Sequence, residues 1–240
     1  MRRALAFLTP FGVSAAPSST TFGWFPLVGA AIGLAVGGVW WAADRAWPPV
    51  VAAAVTVSAD IGLTGYLHLD GLADSADGLL PPLTRPRRLD AMRDPAVGAF
   101  GAVTVIAVLL LRFGALASTP AAPLVVAGLW CGSRTGMVVI ARTLRYARPE
   151  GGLVTAFVPT SPSRWTAGTA LFALAGVALA LILAALGHRT RGLAAVGAEA
   201  AAVAAVAWLS QRRIGGFTGD VLGAAGVVGE TVGLLVLAAR

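Results

Sequence analysis

GAFGAVTVIAVLLLRFGALA, residues 98–117, carries one charged side chain, Arg112, in an otherwise apolar run. A helix rises about 1.5 Å per residue, so a run of this length crosses a hydrocarbon layer of about 30 Å. Six further stretches qualify or nearly qualify, at about 25–43, 50–67, 124–141, 165–186, 193–209 and 221–239. The run at 193–209 is the weakest, being rich in Ala, which inserts less readily than Leu, Ile or Phe, and containing Glu199. Hydrophobic residues make up 57% of the chain, charged residues only 12%, and mean hydropathy is +0.80. Soluble domains carry about 25% charged residues. The expectation is an all-α, polytopic membrane bundle of six to seven transmembrane helices, forming a single domain over 1–240. Glycine-rich stretches such as GAAIGLAVGG (29–38) permit close helix packing in lipid.

The net charge of +7 comes entirely from Arg, since the chain has no Lys. In a membrane protein such charge sets topology, and no nucleic-acid partner is expected. The single Cys131 excludes an internal disulfide framework, and two His give no zinc signature. The opening MRRALAFLTPFGVSAAPS imitates a signal peptide, but Pro10 and Gly12 interrupt its apolar run, which favours an interfacial segment. With a cytoplasmic N-terminus, Arg85, Arg87, Arg88, Arg93, Arg142, Arg145, Arg148, Arg164, Arg212 and Arg213 all fall on the cytoplasmic side. The other side receives Arg45, Arg189, Arg191 and Arg240. That asymmetry satisfies the positive-inside rule for a bacterial cytoplasmic membrane. It puts the longest polar loops, 68–97, 142–164 and 210–220, on the cytoplasmic face, where active-site loops are expected.

The first of these loops begins HLDGLADSADG, residues 68–78. Asp70, Asp74 and Asp77 are spaced i, i+4, i+7, which puts three carboxylates on one helical face. Their repulsion disfavours the helix unless a cation relieves it. Mg²⁺ suits the task, since it takes carboxylate oxygen and keeps water or substrate phosphate in its other positions. The plain alternative is a solvated acidic helix end. Gly71 and Gly78 either let a backbone approach a ligand or merely loosen the loop. In RPRRLDAMRDPAVGAFG (85–101), Asp90 and Asp94 lie near Arg87, Arg88 and Arg93. Acid for metal and Arg for phosphate is equipment for phosphoryl transfer. A basic patch attracted to anionic lipid accounts for the Arg residues alone equally well.

Asp220, at the head of the last span, is either a metal ligand or a helix cap. Arg134, Asp60, Arg112, Glu199 and Glu230 lie in or near membrane segments, where an ionisable group is a functional candidate. For Asp60, Glu199 and Glu230 a paired or neutral structural role is as good a reading. Asp60 precedes Asp74 by fourteen positions, near a whole number of turns, so a continuous helix puts it on the same face.

Taken together, FPLVG (25–29), LHLDGLADSADGL (67–79), RRLDAMRDPAVGAFG (87–101), SR (133–134), YARPEGGL (146–153) and GGFTGDVLGA (215–224) resemble the cobalamin synthases, the adenosylcobinamide-GDP ribazoletransferases. The likeness follows the family's order over nearly the whole chain. Its most specific element is His-Leu-Asp-Gly-x-x-Asp-x-x-Asp-Gly. Pro95 and Ala96 depart from the polar pair expected after Asp94. The resemblance implies a membrane enzyme that joins adenosylcobinamide-GDP to α-ribazole, or its 5′-phosphate, and releases GMP with Mg²⁺. It implies that Asp70, Asp74, Asp77 and Asp94 bind metal, with Asp77 also acting as base. Arg134, Arg93 and Arg148 then stabilise phosphate charge, and His68, Gly71, Gly78, Arg148 and Asp220 contact substrate. Membrane lipid is an expected partner, and a homo-oligomer is compatible with the sequence.

Two rivals stand beside this reading. A CDP-alcohol phosphotransferase shares the Asp-Gly start and the metal logic, but the later Gly-x-x-x-Asp-x-x-x-Asp portion is missing and Asp74 stands where Arg is usual. A cation or proton transporter using Asp60, Glu199 and Glu230 is the rival of another class.

Overall fold

The computed structural model describes residues 1–10, 21–148, 150 and 166–239. The sequence expectations that concern Arg164, Trp165, Arg240, residues 11–18 and residues 151–153 lie outside the described residues. A short helix, α1 (Arg2–Leu8), and a 3-10 turn (Thr21–Trp24) precede the bundle. Ala4 and Leu8 of α1 are fully buried, so this segment is packed into the fold rather than merely resting on a surface.

The chain then forms α2 (Phe25–Ala46), α3 (Pro49–Thr64), α4 (Leu67–Leu79), α5 (Arg85–Ala91), α6 (Ala99–Ala117), α7 (Pro123–Thr143), α8 (Ala167–Gly187), α9 (Arg189–Ile214) and α10 (Gly219–Ala238). Pro26, Pro49, Pro86 and Pro123 sit in the first turns of their helices. There the missing N–H costs nothing and the fixed φ favours the helix. Among the described residues there is no strand, only one isolated bridge between Tyr146 and Phe217.

Among the described residues six helices are long and apolar enough to cross a membrane: α2 with its leading turn, α6, α7, α8, α9 and α10. The Ala-rich sixth run lies within the 26-residue α9. The run at 50–67 departs from expectation. It breaks after Thr64, where Gly65 (φ 63°) and Tyr66 (φ 63°) are both left-handed, and α4 turns away from α3 by 90°. Two such residues in succession cannot continue a right-handed helix. α3 and the thirteen-residue α4 together are apolar enough to form one broken span or a re-entrant pair, and α4 packs across the start of α10. The bend also ends any continuous face from Asp60 to Asp74.

α7 is the central helix, packed against α2, α8, α9 and α10. The α2–α7 contact is close because Gly29, Gly33 and Gly37 form a stripe on α2. A Cβ at Gly33 would stand 2.7 Å from the Ala127 Cα, and one at Gly37 2.6 Å from the Pro123 Cα. Outward faces are aliphatic, with Val103, Ile106 and Leu110 on α6 and Leu171, Leu174 and Ile182 on α8 all exposed. The helices alternate in direction. The starts of α2, α6, α8 and α10 and the ends of α3, α7 and α9 consequently gather at one end, with α4 and α5. This polar end carries every described Arg that the sequence assigned to one side.

Candidate active site

α4 places Asp70, Asp74 and Asp77 on one face, and the head of α10 brings Asp220 opposite. Gly71 makes the approach possible: a Cβ there would stand 2.9 Å from the Asp220 carbonyl oxygen. Gly78 does the same for α5, where a Cβ would collide with Met92. Both glycines are thus spent on helix contacts. Arg88, which the sequence offers either for phosphate binding or as part of a basic patch, is buried and donates to the Gly78 (2.8 Å) and Leu79 (2.9 Å) carbonyls. It closes the C-terminal end of α4, where carbonyls lack partners.

The three carboxylates differ in surroundings. Asp77 accepts the Gly98 N–H at 2.7 Å and the Gly101 N–H at 2.9 Å, one on each oxygen. From a neighbouring helix it caps the first turn of α6, a terminus that attracts anionic groups. Asp70 is exposed. Asp74 lies between them, partly buried, and its carboxyl is pushed up to about 7 by desolvation first, then by Asp220, Asp70 and Asp77. That is a site crowded with like charge. Among the described residues no group of three or more His, Cys, Asp or Glu side chains is placed so that together they could hold a metal ion.

Arg148 reaches the cluster from the loop after α7. It donates to Asp220 at 2.9 Å and to the Met92 carbonyl at 3.1 Å. The loop is fixed by two backbone bonds across the isolated bridge, Ala147 N–H to Phe217 and Phe217 N–H to Arg145, each 2.8 Å. Tyr146 and Phe217 pack edge to face. Asp220 is not the cap of α10. Thr218 is, accepting the Val221 N–H at 3.3 Å, which leaves Asp220 in the first turn facing Arg148.

Between α4, α7 and α10 lies a cavity of about 180 Å³. Asp70, Arg148 and Asp220 line it together with His68, which is buried and held neutral, its pKa lowered to about 3 by burial first and then by Arg134.

Other candidates fall elsewhere. Asp94 is exposed in the turn before α6 and accepts the Ala96 N–H at 2.9 Å. Arg93 pairs at 2.8 Å with Glu150, a residue sequence reasoning passed over, and both are exposed. Arg134 is 1% exposed inside the bundle, bonded to Glu230 and to Ser133 (2.7 Å), and does not reach the α4 carboxylates. Glu230 also takes Arg112 (2.6 Å), which pairs with Asp60 (2.5 Å), while Trp130 donates to Asp60 at 3.2 Å. Two Arg and two carboxylates thus neutralise one another, and Asp60 and Glu230 are structural partners. Glu199 stands apart from this network.

A family model described as cobalamin-5-phosphate synthase matches residues 1–238. Adenosylcobinamide-GDP ribazoletransferase of Chlorobium phaeovibrioides is 38% identical over 95% of this chain and 91% of its own length. Proteins of the same name from Pseudomonas paraeruginosa and Pseudomonas aeruginosa are 38% and 37% identical, each over 98% of this chain and 96% of their own length. No solved structure matches. With the acidic face, the Arg148 loop and the Thr-Gly-Asp head of α10 gathered at one end of an apolar bundle, the chain belongs to the cobalamin-5-phosphate synthase family, transferases of cobalamin biosynthesis.

Proposed function

We propose that this enzyme joins adenosylcobinamide-GDP to α-ribazole or α-ribazole 5′-phosphate by Mg²⁺-dependent phosphoryl transfer, on the cytoplasmic face of a bacterial cytoplasmic membrane. The observation that carries the reading is Asp74, a carboxyl raised to about 7 among Asp70, Asp77 and Asp220. Such a cluster is relieved by a divalent cation. Mg²⁺ is commonly held by one or two carboxylates with substrate phosphate and water completing its shell, so an open set of acids suits it better than a closed cage. Asp74 and Asp77 would hold it, Asp77 through the lone pairs its two amide bonds leave. Bound there, Mg²⁺ would neutralise charge on the diphosphate and on departing GMP.

The residues themselves divide the remaining work. The ribose hydroxyl attacks the phosphorus on the cobinamide side of the diphosphate. The P–O bond to the guanosine-side phosphate breaks, and GMP leaves with that oxygen. The hydroxyl proton goes to a carboxylate. Both oxygens of Asp77 already hold amide donors, so we assign this role to Asp70, on the cavity wall. Arg148 stabilises phosphate charge on leaving Asp220. Arg93 stands at the outer edge, Asp94 is left out of the metal set, and Arg134 acts from behind by fixing α7 to α10. Attraction of the Arg-rich end to anionic lipid fits the same orientation.

The test is product identity. Detergent-purified protein given adenosylcobinamide-GDP and α-ribazole should form adenosylcobalamin and GMP in equal amounts, followed by chromatography. Intact protein that turns over CDP-alcohol substrates instead would overturn the assignment.

A further inference from the structure

The cavity beside the acidic face has a chemically mixed lining. Asp70, Tyr146, Arg148 and Asp220 are its polar part, with exposed Asp70 marking the rim, and Phe7, Phe25, Met137 and Leu222 are its apolar wall. Phe25 is fully buried, and Met137 and Leu222 are 2% and 3% exposed, so this wall is set by packing. Phe7 stacks on Phe25 with ring centroids 5.7 Å apart and planes at 24°, while Phe22 meets Phe25 edge-on at 4.8 Å. His68 completes the wall, and its buried Nδ1 has no hydrogen-bond partner. A buried polar atom left unpaired costs roughly 1–3 kcal/mol, so a rotation of the His68 ring that turns Nδ1 from its buried position toward the cavity is favoured when a ligand atom there can pair with it.

We infer that this cavity is the subsite for the heteroaromatic base of the incoming nucleoside, with Phe25, Met137 and Leu222 enclosing its rings and His68 reading its free ring nitrogen. The inference rests on the function proposed above and adds where the base sits and what selects it. The substrates offer few groups that fit. The diphosphate belongs with the Arg and acids of the polar part. A corrin macrocycle is far too large for about 180 Å³. Guanine carries donors and acceptors along its whole edge, which an aliphatic and aromatic wall leaves unpaired. Dimethylbenzimidazole has two fused rings, two methyl groups and one ring nitrogen free to accept a hydrogen bond. That is the complement of an apolar wall with one imidazole N–H. A base so seated places its ribose at the rim, beside Asp70.

Two measurements on the full-length protein in detergent test this. Leu222→Trp, which fills the space along the apolar wall, is expected to raise KM for α-ribazole at least tenfold while KM for adenosylcobinamide-GDP stays within twofold. Met137→Phe serves should Leu222→Trp not fold, as judged by gel filtration. The second compares α-ribazole with its indole analogue, in which the ring nitrogen is replaced by CH. Wild-type protein should prefer α-ribazole about tenfold in equilibrium dialysis of the nucleoside alone, and His68→Phe should bind the two equally. A rise in KM for adenosylcobinamide-GDP, or a preference for α-ribazole that survives His68→Phe, overturns the inference. Dialysis needs no turnover. Nucleoside binding without any product therefore indicts the proposed reaction, and turnover with cavity variants unchanged indicts the subsite.

Discussion

Asp70, Asp74 and Asp77 share one face of α4, yet each meets different neighbours. Asp77 is tied to the first turn of α6 by two amides, Asp74 is crowded by three carboxylates, and Asp70 is exposed at the cavity. The i, i+4, i+7 spacing made the shared face legible in the sequence, because helical periodicity is local. It did not reveal the division of labour, which is imposed by Gly98, Gly101 and Asp220 from distant segments. The same holds for Phe7, Phe25 and Met137, which look like ordinary apolar residues until folding brings them to one wall. Asp70→Asn is expected to lower kcat about 100-fold with little change in KM for either substrate, as loss of a general base requires. Steady-state kinetics with both substrates varied gives the answer, and an unchanged kcat would return the role to Asp77.

The elements show how glycine placement builds the site. Gly71 lets α4 lie against the head of α10, and Gly78 lets α5 close over the far end of α4. Sequence reading noticed both glycines but had no means of telling helix contact from ligand contact, since each needs only a missing Cβ. Hydropathy likewise carried the second span to Leu67, because it does not register the left-handed pair Gly65–Tyr66 that turns α4 through 90°. Gly71→Ala should destabilise the fold by about 1–3 kcal/mol, since its Cβ meets backbone and not a yielding side-chain tip. A lowered midpoint in a thermal unfolding series, with activity lost in parallel, is the outcome to look for. A variant as stable as wild type but unable to bind substrate would restore the ligand-contact reading.

At the scale of the whole molecule, most charges lie at the polar end, and a buried set of Arg112, Arg134, Asp60 and Glu230 joins α3, α6, α7 and α10. The sequence gives each of these four as an isolated intramembrane charge, and only the fold pairs residues up to 118 positions apart. Glu230→Gln removes the carboxylate shared by both arginines and should cost about 3–5 kcal/mol, visible as reduced yield and early unfolding in detergent. A fully stable Glu230→Gln would undercut the structural role and reopen transport. Membrane orientation is tested with thiol reagents against a quiet background, since Cys131 is buried. Arg87→Cys, at the polar end, should be labelled only after spheroplasts are permeabilised, and His188→Cys, at the opposite end, in intact spheroplasts. The reverse pattern would invert the proposed topology.

The measurement that bears most directly on the account is GMP release titrated with Mg²⁺ for wild type and Asp74→Asn, both checked for folding by gel filtration. The account predicts release that rises with Mg²⁺ and vanishes in EDTA for wild type. It predicts release at least about 100-fold slower for Asp74→Asn at every Mg²⁺ concentration, from loss of a metal-holding carboxylate. Release by wild type that is indifferent to EDTA, or an Asp74→Asn enzyme that matches it, would contradict the assignment of metal-dependent transfer to the acidic face of α4.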